Sequence, residues 1–270
     1  MTKKKTIGII GAGVMGSTIC SSIKKSGLAK GSDIVIGDSD FKYVNIVKRK
    51  LKVSSAKDNK ILVQSSQIII IAIKPQDFES LAKEIAGEFK DKQIVISIMA
   101  GMPLAKIQKF LKFKRVIRSM PNLAAKVQEA FTVYKSGFLM TKKEQAKIES
   151  IFESFGKATQ VSNEKYLDAA TAISGSGPAY VYYFMEALIE SAKKLGFKRD
   201  VAKEMVEQTF FGALQAQKSS GESAKSLRKK VTSKKGTTDA AIKSFERSKL
   251  KKAIHLGVNS AYKRAKELSK

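Results

Sequence analysis

Three glycines, Gly11, Gly13 and Gly16, lie between an apolar run and an amphipathic stretch near the start of the chain. The run 6–10 is short and rich in β-branched residues, which is typical of a buried parallel strand. The stretch after it has the pattern of a helix to about Lys25. Only glycine permits so tight a turn and so close an approach of helix to strand, so this feature predicts a parallel α/β unit.

The alternation of strands and helices continues to residue 161. Apolar runs predict further strands at 33–37, 67–72, 93–97 and 115–118, and edge strands at 131–135 and 158–161. Helices are predicted at 41–50, at 77–89 with Asp77 as the N-cap, and at 142–154. Strands that alternate with helices form parallel βαβ units, so we predict a doubly wound, Rossmann-type sheet over residues 1–161.

Strand patterns stop after Val161, and the remainder reads as helix. We predict helices at 166–195 with a break at 174–178, and at 199–219, 222–231, 238–247 and 249–269. The fold class is therefore α/β, with a dinucleotide-binding domain 1–161 followed by an all-α domain 162–270.

The composition excludes several classes of site. A single cysteine, Cys20, and a single histidine, His255, leave no disulfide scaffold and no cysteine or multi-histidine metal site, so we predict no metal. No apolar run approaches the ~20 residues that span a bilayer. The lysines and apolar residues at the N-terminus are interrupted by glycines and do not form a secretory signal, so we expect a cytoplasmic protein.

The net charge of +27 raises the question of a polyanionic partner. The excess is spread over both halves of the chain, and lysine supplies 44 of the 51 basic residues. Arginine is the usual residue for bidentate phosphate and base contacts, so we favour a solvated lysine surface over a nucleic-acid surface. The positive potential would still attract small anions such as dinucleotides and carboxylates.

The motif Gly11-Ala12-Gly13-Val14-Met15-Gly16 points to a dinucleotide, because it follows a strand and opens a helix whose N–H groups face a pyrophosphate. Asp38 ends the next strand, where a carboxylate accepts hydrogen bonds from an adenosine ribose and favours NAD. The alternative for Asp38 is a turn aspartate beside Ser39 and Asp40. Lys42 and Lys48 remain available to a 2′-phosphate.

Later strands end in further polar or flexible segments. Ala72-Ile73-Lys74-Pro75 follows the strongest strand, and Ala100-Gly101 and Met120-Pro121-Asn122 follow the next two. Ligands bind at the carboxyl ends of parallel strands, so these segments are expected at one rim. Two loops of the second half expose hydroxyls and N–H groups. The loop 174–180 lies between two helices. The loop 231–239 leads into a helix and would cradle a carboxylate with N–H groups at the helix start.

Taken together, these motifs resemble pyrroline-5-carboxylate reductase, the last enzyme of proline synthesis. The resemblance runs from Ile7 to about Leu268 and is most specific in 174–180 and 227–238. It implies reduction of 1-pyrroline-5-carboxylate to L-proline by NADPH or NADH, in a homo-oligomer that is at least a dimer through its C-terminal helices, with no membrane partner. By this resemblance the cofactor contacts are Gly11, Gly13, Val14, Met15, Gly16, Asp38, Ser39, Asn59, Ala72, Lys74, Pro75, Ala100 and Gly101. The substrate contacts are Asn122, Ser176, Ser233, Gly236, Thr237 and Thr238, with the Thr238 hydroxyl at the reacting ring nitrogen.

The chain departs from the family pattern in the second loop. Lys234 and Lys235 stand where the family usually has proline and glycine, and Leu123 and Ala124 follow Asn122 in place of threonine and proline. A lysine in place of glycine strains the backbone if its φ is positive. The two lysines either attract the substrate carboxylate or simply point into solvent. Two other functions stay open: another Rossmann imine or β-hydroxyacid oxidoreductase, and a basic nucleic-acid-binding protein.

Overall fold

One eight-stranded sheet forms the centre of the first half of the chain. The structure is a computed structural model that describes residues 5–269. Its strands are β1 Lys5–Ile10, β2 Ile34–Gly37, β3 Ser54–Ser55, β4 Ser66–Ile71, β5 Ile94–Ser97, β6 Val116–Met120, β7 Ala130–Ser136 and β8 Gly156–Gln160. Their order across the sheet is β3-β2-β1-β4-β5-β6-β7-β8, and neighbouring strands are parallel except for the antiparallel pair β6–β7. The predicted Rossmann-type sheet is confirmed. Of the two predicted edge strands, β8 lies at the edge, whereas β7 pairs on both sides, with β6 and β8.

Helices cover both faces of this sheet. They are α1 Val14–Lys25, α2 Phe41–Leu51, α3 Asn59–Ser65, α4 Phe78–Ile85, α5 Leu104–Leu111 and α6 Lys142–Glu153. Successive strand residues point to opposite faces, so Ile9 joins a core with α1, α2 and α6, whereas Ile10 joins a second core with α3, α4 and α5. Two apolar faces explain why β4 is isoleucine in four consecutive positions, 68–71.

Helices make up the rest of the chain, as predicted. They are α7 Lys165–Ala170, α8 Gly177–Lys194, α9 Arg199–Ser220, α10 Ala224–Lys230, α11 Thr237–Arg247 and α12 Leu250–Leu268. The predicted interruption before α8 is a π-helical turn, Thr171–Gly175. None of the helices within residues 5–269 is long and apolar enough to cross a bilayer.

Two compact units emerge from the contacts within the chain. The first runs to Pro178 and includes the C-terminal segment from Ala261, and the second is Ala179–Ser260. The domain boundary after residue 161 stays a prediction.

Some local predictions are wrong. Asp77 does not cap the following helix with its side chain, because it lies in a 3-10 turn with helical backbone angles, and α4 ends at Ile85 instead of 89. The helix stops early because Ala86 is extended and Gly87 has a positive φ of 86°. The sequence reading also missed α3 and α5, although Asp58 caps α3 through Ile61 N–H and Pro103 precedes α5.

The free cysteine lies inside the first core. Cys20 is fully buried on α1, and loss of hydration raises the pKa of its thiol from 9.0 to about 12, although nearby Lys24 favours the thiolate. A thiol at that pKa carries about 1000-fold less thiolate near neutral pH than an exposed one.

We therefore predict that Cys20 resists a thiol-specific disulfide reagent at pH 8 in the native protein. The same reagent should label one thiol per chain in urea, because unfolding restores hydration and an ordinary pKa. Absorbance of the released thiolate measures both rates. Rapid labelling of the native protein would contradict the burial of Cys20.

Candidate active site

The turn between β1 and α1 leaves no room for side chains at two of its glycines. Gly11 has a φ of +107°, and a Cβ there would collide with the Ala72 carbonyl group at the end of β4. A Cβ on Gly16 would collide with the Gly11 carbonyl oxygen. Gly13 differs, because a Cβ there would meet no protein atom within 4 Å. The protein therefore leaves the space beside Gly13 empty, and a bound molecule could come close to the backbone there.

Helix α1 begins at this open space. Gly13 is its N-cap residue and supplies no capping side chain, so the N–H groups of Val14, Met15 and Gly16 have no partner from a cap. The first intrahelical hydrogen bond runs from Ser17 N–H to the Gly13 carbonyl oxygen at 3.0 Å. Free N–H groups at the positive end of a helix dipole bind an anionic group such as a pyrophosphate. These residues fit a dinucleotide.

Asp38 holds the glycine turn in place from the end of β2. Its Oδ2 accepts the Ala12 N–H at 2.6 Å, and its Oδ1 accepts the Asp40 N–H at 2.9 Å. Exposed Ser39 lies beside it, with its Oγ 3.4 Å from Asp38 Oδ1. The turn-aspartate alternative is thus present in the structure. The contact of Asp38 with a ribose stays a prediction.

Two further predicted cofactor contacts follow β3 and β4. Asn59 opens α3, and its Nδ2 donates to Glu84 at 2.9 Å. Its Oδ1 lies 3.1 Å from the position that a Cβ on Gly37 would take, so the amide faces the end of β2. Lys74 precedes Pro75 and is exposed, with no ion pair to a carboxylate in the part of the chain that the structure describes.

Asn122 joins the rim after β6 to the π-helical turn. Its Nδ2 donates to the Ser174 carbonyl oxygen at 2.9 Å, and its Oδ1 accepts the Ala124 N–H at 3.2 Å. Within the turn, Ser176 N–H donates to the Thr171 carbonyl oxygen at 2.8 Å, the i to i+5 bond of a π-helix. Such turns frequently occur at functional sites. The structure therefore brings Asn122 and the Ser174–Ser176 segment together.

The sequence reading missed a buried arginine beside this rim. The Arg118 side chain is 5% exposed on β6 and forms ion pairs with Glu164 at 2.8 Å and Asp168 at 2.9 Å. An arginine within an apolar strand pattern is the signal that indicates it, because a buried charge needs a partner. Ala100 and Gly101, both predicted cofactor contacts, lie in the loop that follows the neighbouring strand β5, where Gly101 has a φ of +67°.

The remaining predicted residues lie in the second unit, in the turn before α11. Gly236 is the N-cap of α11 and supplies no side-chain cap, so the N–H groups of Thr237 and Thr238 point out of the helix start. Gly236 N–H donates to the Ser233 carbonyl oxygen at 3.0 Å, and a Cβ at Gly236 would collide with the Ser233 hydroxyl. The turn is therefore shaped as a cradle for a small anion.

Lys235 has a left-handed backbone, with a φ of +61°. This conformation is unfavourable for lysine, which stands here where the family usually has glycine. Its N–H donates to Asp239 Oδ2 at 3.1 Å. The hydrogen bond from the Lys243 ammonium at 2.8 Å lowers the pKa of Asp239, and the Lys235 N–H adds to this. Asp239 therefore stays ionised and holds the strained turn against α11.

Family models match both halves of the chain. The family model described as pyrroline-5-carboxylate reductase dimerisation matches residues 164–268, and the one described as NADP oxidoreductase, coenzyme F420-dependent, matches residues 6–101. The chain is 35% identical to pyrroline-5-carboxylate reductase 2 of Bacillus subtilis over 267 residues, which are 98% of this chain and 95% of the relative. This chain belongs to the pyrroline-5-carboxylate reductase family.

Solved structures of family members have the same fold. The reductase from Coxiella burnetii superposes with a TM-score of 0.88 at 30% identity and covers 99% of this chain and 100% of its own. The Plasmodium falciparum pyrroline carboxylate reductase, solved with NADP bound, has a TM-score of 0.89 at 27% identity and covers both chains completely.

The strain at Lys235 generates a prediction. Replacing it in Lys235→Gly should raise the free energy of unfolding by about 0.5–1 kcal/mol, because relief of the left-handed backbone outweighs the entropy that glycine adds to the unfolded chain. Urea unfolding measures the change. Lys249→Gly is the matched control, since Lys249 has a φ of +55° in the same unit but lies outside the turn. If Lys249→Gly stabilised the protein and Lys235→Gly did not, the strain assigned to Lys235 would be contradicted.

Proposed function

We propose that the protein reduces 1-pyrroline-5-carboxylate to L-proline, the last step of proline biosynthesis, with NADPH or NADH as the hydride donor. The observation that carries the proposal is the 35% identity to a curated reductase over 98% of this chain. We also propose 1–161 as the dinucleotide-binding domain and 162–270 as the helical domain, which the family-model match to 164–268 supports.

The proposed cofactor contacts all follow the carboxyl ends of strands in the first unit. The free N–H groups of Val14, Met15 and Gly16 would bind the pyrophosphate, and the open space at Gly13 would admit it. The proposed remaining contacts are Gly11, Asp38, Ser39, Asn59, Ala72, Lys74, Pro75, Ala100 and Gly101. The reduced nicotinamide supplies the hydride when the cofactor is bound. The Lys74 ammonium adds positive charge near an anionic cofactor.

The proposed carboxylate site is the turn before α11, with Ser233, Gly236, Thr237 and Thr238 as contacts. Two free N–H groups at the start of an eleven-residue helix suit one carboxylate. Asn122 and Ser176, in the first unit, are the other proposed substrate contacts. Asn122 already uses one Nδ2 proton on the Ser174 carbonyl group, so we assign it to orienting that segment as well.

The hydrogen bond to the reacting ring nitrogen is assigned to Thr238. Its half-buried side chain follows the free N–H groups of the turn, and its hydroxyl would hydrogen-bond the ring nitrogen. A protonated imine is the better electrophile and needs no strong side-chain acid, which agrees with a chain that has one histidine. Catalysis would then come from positioning and electrostatics.

The test of the activity follows absorbance of NADPH and of NADH, separately, with racemic pyrroline-5-carboxylate. Oxidation of either cofactor with formation of proline is the expected result. A parallel panel of other imines and β-hydroxyacids checks the alternative oxidoreductase functions. Absence of turnover with pyrroline-5-carboxylate and both cofactors would overturn the proposal.

The role of Thr238 gives a kinetic prediction. Thr238→Ala should lower kcat, because it removes one hydrogen bond to a charged group and keeps the backbone N–H. The loss corresponds to ~1–3 kcal/mol of transition-state stabilisation. Steady-state kinetics measures the loss, and Thr238→Ser, which retains a hydroxyl, is the matched control with most of the activity. Equal kcat values in wild type and Thr238→Ala would reject the assigned role.

We propose that the protein is at least a homodimer through its C-terminal helices. Helix α8 contains no buried residue, and apolar side chains on α8 and α9 remain exposed, including Tyr183 at 74% and Phe211 at 58%. Exposed apolar faces of this kind mark protein–protein contacts. The match to a dimerisation model over 164–268 supports the same surface. The cytoplasmic location stays a prediction.

Phe211→Glu should therefore shift the protein to smaller assemblies, because burying an unpaired carboxylate at an apolar contact is costly. Light scattering after gel filtration measures the mass. Phe41→Glu is the matched control, since Phe41 is 60% exposed but lies on α2 of the first unit. The assignment would be contradicted if the wild type had the mass of a monomer, or if Phe211→Glu left the mass of the assembly unchanged.

A further inference from the structure

The C-terminal end of the chain lies against the loop that follows β5. We call residues 98–103 the β5 loop and residues 265–269 the C-terminal turn. A Cβ on Gly101 of the β5 loop would stand 2.7 Å from both the Cβ and the carbonyl oxygen of Leu268. Both segments belong to the first unit. The β5 loop therefore depends on glycine at position 101 partly because the C-terminal turn occupies the adjoining space.

A charged network fixes the C-terminal turn in this position. The Ser269 Oγ lies 2.9 Å from Asp168 Oδ1, and Arg118 Nη2 donates to the same Asp168 oxygen at 2.9 Å. Arg118 Nη2 also lies 3.4 Å from the Ser269 Oγ. The hydroxyl also lies 3.0 Å from the Ala265 carbonyl oxygen of the preceding helix α12. The carboxylate and the guanidinium together orient Ser269 more tightly than a helical hydroxyl alone.

The same arginine reaches the other end of the β5 loop. Arg118 Nη1 donates to Glu164 Oε1 at 2.8 Å, and that oxygen also accepts the Leu104 N–H at 2.8 Å where α5 begins. The β5 loop is thus held at Leu104 through Glu164 and at Gly101 through Leu268. Because the Arg118 side chain is only 5% exposed, these charge-assisted hydrogen bonds are weakly screened by solvent.

We propose that Ser269 and Asp168 are positioning residues for the cofactor. They hold the C-terminal turn against Gly101, so that the β5 loop keeps the shape in which Ala100 and Gly101 meet the dinucleotide. The inference rests on the cofactor contacts assigned under the proposed function. In this proposal both residues act on cofactor affinity through the β5 loop and not by direct contact.

The first test replaces the hydroxyl in Ser269→Ala and measures NADPH binding without substrate, by calorimetry or by cofactor fluorescence. The dissociation constant should rise about 3- to 10-fold, which is the net contribution of one ordinary hydrogen bond. KM for NADPH should rise in parallel, and kcat at saturating cofactor should stay within about twofold because the reacting groups are untouched. Ser269→Thr restores the hydroxyl and should restore affinity.

Two further variants separate positioning from stability. Asp168→Asn keeps the shape of the side chain but loses its charge, so it should weaken NADPH binding in the same direction as Ser269→Ala. Ser260→Ala changes an exposed serine on α12, the helix that ends just before Ser269. It is the matched control and should change nothing. The melting temperature of each variant is recorded, and binding is compared well below it.

A lower melting temperature in Ser269→Ala with an unchanged dissociation constant would overturn the proposal and leave a purely structural network. Failure of Ser269→Thr to restore affinity would overturn it as well. The binding assay contains no pyrroline-5-carboxylate. A wild type that binds NADPH but does not reduce that substrate would therefore refute the proposed function without deciding this inference.

Discussion

The candidate site depends on how closely α1 approaches the ends of β1 and β4. Side chains are excluded at Gly11 by the Ala72 carbonyl group and at Gly16 by the Gly11 carbonyl group, so three segments meet backbone to backbone. This contact brings the uncapped start of α1 to the rim, and the carboxylate of Asp38 fixes the turn through Ala12 N–H. A methyl group at either glycine would collide with these carbonyl groups and push the start of α1 away from the sheet.

Charge acts in two different ways in this protein. The net charge of +27 comes mainly from lysines, and exposed lysines produce a general positive potential that salt screens. Arg118, Glu164 and Asp168 form a largely buried group in which each charge has a partner. The first kind of charge favours encounter with anionic cofactor and substrate, whereas the second determines the positions of chain segments.

Much of the fold was predictable because its signals are local. Four consecutive isoleucines predict β4, and glycines after β1 predict the turn into α1. The missed helices α3 and α5 are seven and eight residues long, so each offers only about two turns of periodicity to detect. A lysine in place of glycine strains the backbone only where φ is positive, and the structure shows a φ of +61° at Lys235.

The sequence alone determined the α/β class, the position of the glycine turn, the helical second half and the family resemblance, because each depends on residues close together in the chain. Only the tertiary structure decided the partners of side chains that are distant in sequence. Asn122 meets Ser174, Asp38 meets Ala12, and Ser269 meets Asp168 across 101 positions. The pairing of such residues follows from strand order and helix packing, which local periodicity does not encode.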